Sequence, residues 1–137
     1  MGAARDVVEG FYERFGAADI DGTRVLYTDD CVTVTPTGSL TNDEHEAFGR
    51  AFTSAFPDAH MLVTHVFESG EEVCVLGRFQ GTHEGDLVSP GGTIPATGRS
   101  LDMPFADYFQ VRDGKIAAQE SIFDQMTLLA QLGALGG

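Results

Sequence analysis

Three acids, Asp107, Glu120 and Asp124, interrupt a stretch that otherwise reads as two alternating apolar strands, LDMPFADYFQVRDGKIAAQESIFD, from Leu101 to Asp124. Asp113-Gly114 at its centre signals a tight hairpin, because both central residues of a type I′ turn take positive φ. Pairing Arg112 with Lys115 sets Val111 opposite Ile116, Phe109 opposite Ala118 and Asp107 opposite Glu120. Phe105 then faces Ile122, and Met103 faces Asp124. Side chains alternate along a strand, so these ten share one face. Seven of the ten are apolar, which makes this the inner face. A carboxylate there is costly unless it is paired or protonated. An apolar setting raises a carboxyl pKa, and a carboxyl so tuned can take up and return a proton. Two facing carboxyls would share one proton, which separates an acid role from a base role.

Asp107 therefore leads the candidates, with Glu120 across the hairpin. No basic residue shares their face, so the structural alternative for Asp107 is a tie to a backbone amide or to Tyr12. Asp124 is either a pocket residue or the N-cap of a tail helix. His83 ends a strand beside a glycine-rich loop, and its imidazole can shuttle protons near neutrality. His65 is read at the pocket, His45 and His60 at the surface. No histidine, cysteine and carboxylate set has metal-ligand spacing, so no metal site is expected. P-loop, dinucleotide-binding and GxSxG patterns are missing.

The elements that must position these residues follow from periodicity. Residues 4–16 form an amphipathic helix with Val7, Val8, Phe11, Tyr12 and Phe15 on one stripe. Asp19-Ile-Asp-Gly opens a second helix carrying Val25, Leu26 and Tyr27, which Asp29-Asp30 ends. Cys31 to Thr35 alternates and is β-branched, so it is a strand. Thr41-Asn-Asp-Glu44 is a capping box. Its helix buries Ala47, Phe48, Ala51, Phe52, Ala55 and Phe56 before Pro57. His60–Phe67 and Val73–His83 are strands around a turn at Ser69-Gly70. Residues 84–100 form a long loop of the kind that borders sites. The tail, Gln125 to Leu135, is a short helix. Helices first and antiparallel strands after give one α+β domain over 1–137, with helices packed on a curved sheet.

The chain has 137 residues and a net charge of −13, from 21 acids and 8 bases. That balance argues against nucleic acid and against an anionic membrane surface as partners. No apolar run reaches the roughly 20 residues of a membrane span, and no signal-peptide pattern opens the chain, so the expected location is the cytoplasm. Cys31 and Cys74 sit in strand-like apolar runs and read as buried, reduced thiols.

Several strings carry a resemblance: Phe56-Pro57-Asp58, Gly81-Thr82-His83-Glu84-Gly85, Ala96-Thr97-Gly98-Arg99, Arg112-Asp113-Gly114-Lys115-Ile116, and Asp124 followed by Leu128 to Gly133. In this order they resemble the SnoaL-like polyketide cyclases, within the cone-shaped superfamily of ketosteroid isomerase and nuclear transport factor. The resemblance implies an NTF2-like curved sheet with an apolar pocket beneath the helices and no metal or organic cofactor. It implies acid/base chemistry on a carbonyl compound: an enolate forms and attacks a second carbonyl in an intramolecular aldol step. By alignment, the protonated Asp of ketosteroid isomerase falls on Asp107, its Tyr on Phe11 and its base on Thr35. The cyclase His and Asp fall near Asp107 and Glu120. Phe11 and Thr35 cannot serve the isomerase roles, which points away from a steroid-type isomerase.

The expected function is a cofactor-independent cyclase or isomerase of an apolar, polyketide-like carbonyl compound. Asp107, Glu120 and His83 are its catalytic residues. Phe11, Tyr12, Thr35, Phe52, His65, Phe105 and Asp124 contact the substrate. Two alternatives stay open: a non-catalytic binder of hydrophobic small molecules, and an epoxide hydrolase or hydratase with an Asp-Arg-Asp arrangement, for which Arg78 and Arg99 are the nearby arginines. A homodimer through the outer sheet face is expected.

Overall fold

In the computed structural model, which describes residues 2–89 and 92–134, the helices cover one face of a curved six-stranded sheet. Helix α1 (Ala3–Gly16) presents Val8, Phe11 and Tyr12 to that sheet. Helix α2 (Ile20–Arg24) is one short turn capped by Asp19, whose side chain accepts the Gly22 amide hydrogen. The expected helix through Tyr27 is corrected here. Tyr27 begins strand β1 (Tyr27–Thr35) and points inward from it. A bulky aromatic fits a pleated, half-buried surface better than the end of a five-residue helix.

Strand β2 (Gly38–Leu40) folds back on β1. Helix α3 (Asn42–Ala55) starts at Thr41, whose hydroxyl accepts the Glu44 amide hydrogen while the Glu44 carboxylate accepts that of Thr41. This reciprocal cap fixes the phase of the helix. Strands β3 (His60–Ser69) and β4 (Glu72–Thr82) form a hairpin. Its turn is Gly70-Glu71, one residue later than expected, with Gly70 at φ +61°. The long loop carries a small two-stranded sheet, β5 (Leu87–Ser89) with β6 (Gly92–Ile94). Strands β7 (Ser100–Arg112) and β8 (Lys115–Phe123) make the central hairpin. Asp113 and Gly114 have φ of +53° and +77°, the signature of a primed turn. Helix α4 (Gln125–Gln131) closes the described chain. Leu135, the expected end of the tail helix, lies outside the described residues.

The sheet order is β2-β1-β8-β7-β4-β3, antiparallel except where β1 runs parallel to β8. Register shifts interrupt three pairings, between Tyr27 and Val32, Val63 and His65, and Gln110 and Val111. Bulges of this kind bend strands and add twist, which turns the sheet into a concave surface. Its inner face buries Val73, Val75, Phe79, Met103, Phe105 and Phe109 against Val8, Tyr12, Phe52 and Phe56. Cys31 is buried, and burial pushes its thiol up to about 11. Cys74 is only half-buried, because it alternates outward between Val73 and Val75. Among the described residues, no helix is long and apolar enough to cross a membrane.

Candidate active site

Asp107 sits mid-strand on the inner face of β7 and is 3 % exposed. What stands opposite it is set by the bulge. Val111 pairs with Ile116, but Gln110 pairs with Ala118, so Ala117 has no partner. Every later pair moves by one residue, and Asp107 faces Ser121 while Phe105 faces Phe123. A one-residue shift exchanges the two faces of a strand. Gln119 is therefore buried, and Glu120 and Ile122 lie on the exposed outer side. The expected Asp107–Glu120 pair is corrected accordingly: Glu120 stands beside Tyr108 and Val34.

Both oxygens of Asp107 are held by hydroxyls. Ser121 Oγ donates to Oδ1 at 2.8 Å. The Tyr12 hydroxyl donates to Oδ2. Alignment put the isomerase tyrosine on Phe11, but the hydroxyl comes from Tyr12, the partner expected in the alternative reading of Asp107. Its ring stacks on Phe105, with centroids 5.8 Å apart. Burial pushes the Asp107 carboxyl up to about 6, and the two hydroxyl bonds hold it back from rising further. Tyr12 is raised well above the usual phenol range, first by burial and then by the charge of Asp107. It stays protonated and donating at neutral pH.

Asp107 opens onto an apolar cavity whose empty volume, mouth included, is about 560 Å³. Helix α1 contributes Phe11 and Phe15, α3 contributes His45, Phe48 and Phe52, and the strands contribute Met61, Phe79, Met103, Phe105, Gln119, Ser121 and Phe123. Asp107 is the one carboxylate in this lining. Gly77 helps to shape it. A Cβ there would lie 2.4 Å from the Leu62 carbonyl oxygen and 2.7 Å from Phe105 Cζ, so the missing side chain lets the Phe105 ring lie across β4.

His45, read from sequence as a surface residue, is corrected to a cavity residue. The capping box places it one turn into α3, in line with Phe48 and Phe52 at helical spacing, and that alignment was the signal for it. It packs against Phe11 and Tyr27, and burial pushes its imidazole down to about 4. Gln119 was also missed. Its Oε1 accepts the Tyr27 hydroxyl at 2.5 Å.

Four other candidates lie elsewhere. His83 is fully buried, stacked on Phe56 with Nδ1 2.9 Å from Thr97 Oγ1, and does not line the cavity. Thr35 bonds the Gly38 carbonyl in the β1–β2 turn. His65 faces outward against Phe67, because a bulge at Thr64 resets the alternation of β3. Asp124 caps α4 through the Met126 and Thr127 amides. Arg78 pairs with Asp102 at 2.7 Å on the exposed side, and neither Arg78 nor Arg99 reaches the cavity. Among the described residues, no group of three or more His, Cys, Asp or Glu comes together as metal ligands.

A hypothetical protein with a ketosteroid isomerase-like fold from Catenulispora acidiphila, solved in complex with trimethylamine, superposes with a TM-score of 0.74 at 15 % identity, covering 93 % of this chain and 92 % of that one. AclR of Streptomyces galilaeus, described as "a putative hydroxylase", has a TM-score of 0.86 at 18 % identity over 98 % of each chain. These two similarities define the fold. IdmH of Streptomyces antibioticus, described as "a putative polyketide cyclase", is 28 % identical, with a TM-score of 0.79 over 95 % of this chain and 98 % of that one. No curated protein matches the sequence. The SnoaL-like polyketide cyclase family matches residues 6–132, and the chain belongs to that family.

Proposed function

We propose that this protein is a cofactor-independent acid/base enzyme that enolises an apolar, carbonyl-bearing, polyketide-like molecule and closes a ring by an intramolecular aldol step. The observation that carries the reading is Asp107: a lone buried carboxyl at an aromatic-lined cavity, pushed up to about 6 and oriented by two hydroxyls. A base tuned close to the working pH exchanges protons efficiently with carbon acids. Membership of the cyclase family supports the same class of chemistry. Tyr12 and Ser121 steady the ionised carboxylate, and the phenylalanine walls hold an uncharged substrate away from water.

A second reading, a non-catalytic binder, has one observation in its favour. Both Asp107 oxygens already accept hydrogen bonds, which would suffice to satisfy a structural acid. A carboxylate has about four lone-pair sites, so two remain for a substrate. Proton exchange separates the two readings. In D2O, the wild-type protein should speed deuterium uptake at the α-carbons of 2,6-heptanedione, and Asp107→Asn should abolish most of that gain. Binding without any wild-type exchange would select the binder.

The outer sheet face exposes Val32, Val34, Leu62, Phe67, Leu76 and Ile122. An apolar face spread over four strands suits a second copy, and we assign a homodimer to it. Sedimentation should give twice the chain mass at micromolar concentration, and Phe67→Glu should shift it to the monomer. A monomeric wild-type protein would refute the assignment.

A further inference from the structure

Ring closure needs more than a base. The oxygen of the attacked carbonyl gains negative charge as the new bond forms, and that charge must be met by a donor. Asp107 is placed at the other reacting carbon, whose proton it takes. The cavity offers few other polar groups. Ser121 is committed to Asp107, and Gln119 accepts from Tyr27 through Oε1, which leaves its amide N–H groups as donors on the same sheet as Asp107.

His45 lines the cavity together with Asp107, but from α3 rather than from the sheet. It also lines a separate cleft between α1, α2 and α3, where Arg24 and Glu46 meet solvent. The imidazole thus forms part of the partition between the apolar chamber and water. Its Nδ1 is 3.5 Å from the Thr33 hydroxyl. With that hydroxyl donating to Nδ1, the ring proton sits on Nε2. Among the described residues no side chain bonds Nε2, and the atom is not sealed from solvent. Burial keeps the ring neutral at neutral pH, so it enters the reaction as a hydrogen-bond donor and not as a fixed cation.

Resting on the enolising role of Asp107, we propose that His45 is the hydrogen-bond donor to the acceptor carbonyl. The Asp107 carboxylate takes the α-proton, and the C–H electron pair becomes the enolate. The enolate carbon then bonds to the second carbonyl carbon, and the C=O π pair moves to oxygen. His45 Nε2 donates a hydrogen bond to that oxygen as its charge forms, the oxygen then takes a proton from water, and Asp107 returns its own proton to solvent. Nothing is oxidised or reduced, and an open-chain diketone becomes its isomeric cyclic ketol. The substrate class is therefore an uncharged chain with two carbonyls far enough apart to reach both walls.

The test follows two rates on 2,6-heptanedione in D2O by NMR: deuterium uptake at the α-carbons, and appearance of the cyclic ketol with its dehydration product. His45→Phe should lower the ratio of ring closure to exchange by about 10²-fold, the usual cost of losing one such donor. His45→Gln, which keeps an N–H, should recover part of the ratio. An unchanged ratio in His45→Phe overturns the inference while leaving the Asp107 reading intact. Wild-type exchange with no ring closure overturns it as well. Wild-type exchange no faster than that of Asp107→Asn defeats the reading of Asp107 itself, and this inference with it.

Discussion

Two buried titratable side chains, Asp107 and His83, lie on the concave side of the same sheet, and they differ in what they face. His83 is fully buried at the end of β4. Its Nδ1 accepts from the Thr97 hydroxyl at 2.9 Å and the Thr97 amide at 3.3 Å, which leaves Nε2 as a buried atom with no partner. Its ring packs flat on Phe56, and its backbone bonds Arg99 and Gly98 across the base of the loop. Asp107 is as deeply buried, yet both its oxygens are partnered and it borders a cavity. Burial of a polar group is common to both. Space beside the group is what gives Asp107 access to a substrate and makes His83 a fastening for the loop.

The comparison breaks most sharply under exchange of roles. Asp107→Asn should cut turnover by about 10²-fold or more while the fold stays intact. His83→Ala should leave turnover per folded molecule within about tenfold and lower stability by roughly 2–4 kcal/mol, through the cavity left under Phe56. Steady-state rates and denaturant melts on both variants check this. A large catalytic loss in His83→Ala at full stability would return His83 to the site.

The pH dependence of stability sharpens the contrast from the Asp107 side. Its folded value of about 6 lies above its ordinary 3.8, so between those pH values the folded state holds the extra proton. Stability should therefore fall as pH rises from about 4 to about 6, by on the order of 3 kcal/mol. Melts of Asp107→Asn should lack that slope and exceed the wild type at pH 7. Tyr12→Phe removes a donor that favours the charged carboxyl. The acid limb of kcat/KM should then move up by roughly one pH unit, which a rate profile would show. The smallest effect belongs to Glu120→Gln on the outer face: turnover within about twofold and a stability change within ~0.5 kcal/mol. A loss as large as that of Asp107→Asn would restore the unbulged register.

The turn, the capping box and the burial of Asp107 were legible because each rests on local chemistry. Asp113-Gly114 demands positive φ, Thr41 and Glu44 satisfy each other's amides, and an acid among phenylalanines stands out. The tie of Asp107 to Tyr12 was among the expectations, but the residue opposite it on β8 was not legible. Ala117 and Ala118 are both small, and nothing in their type shows which of them loses its pairing, yet that choice decides whether Glu120 or Ser121 stands opposite. Tyr12 and Phe11 are adjacent on one helical stripe, and only the angle of α1 to the sheet selects the hydroxyl. His45 was misread because a histidine in the first turn of a polar helix start looks solvated. The cap that fixes the helix phase in fact aligns it with Phe48 and Phe52. His83 showed the converse: its position beside a glycine-rich loop pointed to the site, and the packing of Phe56 and Phe79 fills the space it would need.

The central claim is that Asp107 is a dry, tunable carboxyl, and the direct measurement is a 13C NMR titration of its side-chain carboxyl, assigned by loss of the signal in Asp107→Asn. A midpoint near 6 that moves upward in Tyr12→Phe is the predicted result. A midpoint in the ordinary carboxylate range, unmoved by Tyr12→Phe, would mean that water reaches the group freely, and would contradict the account.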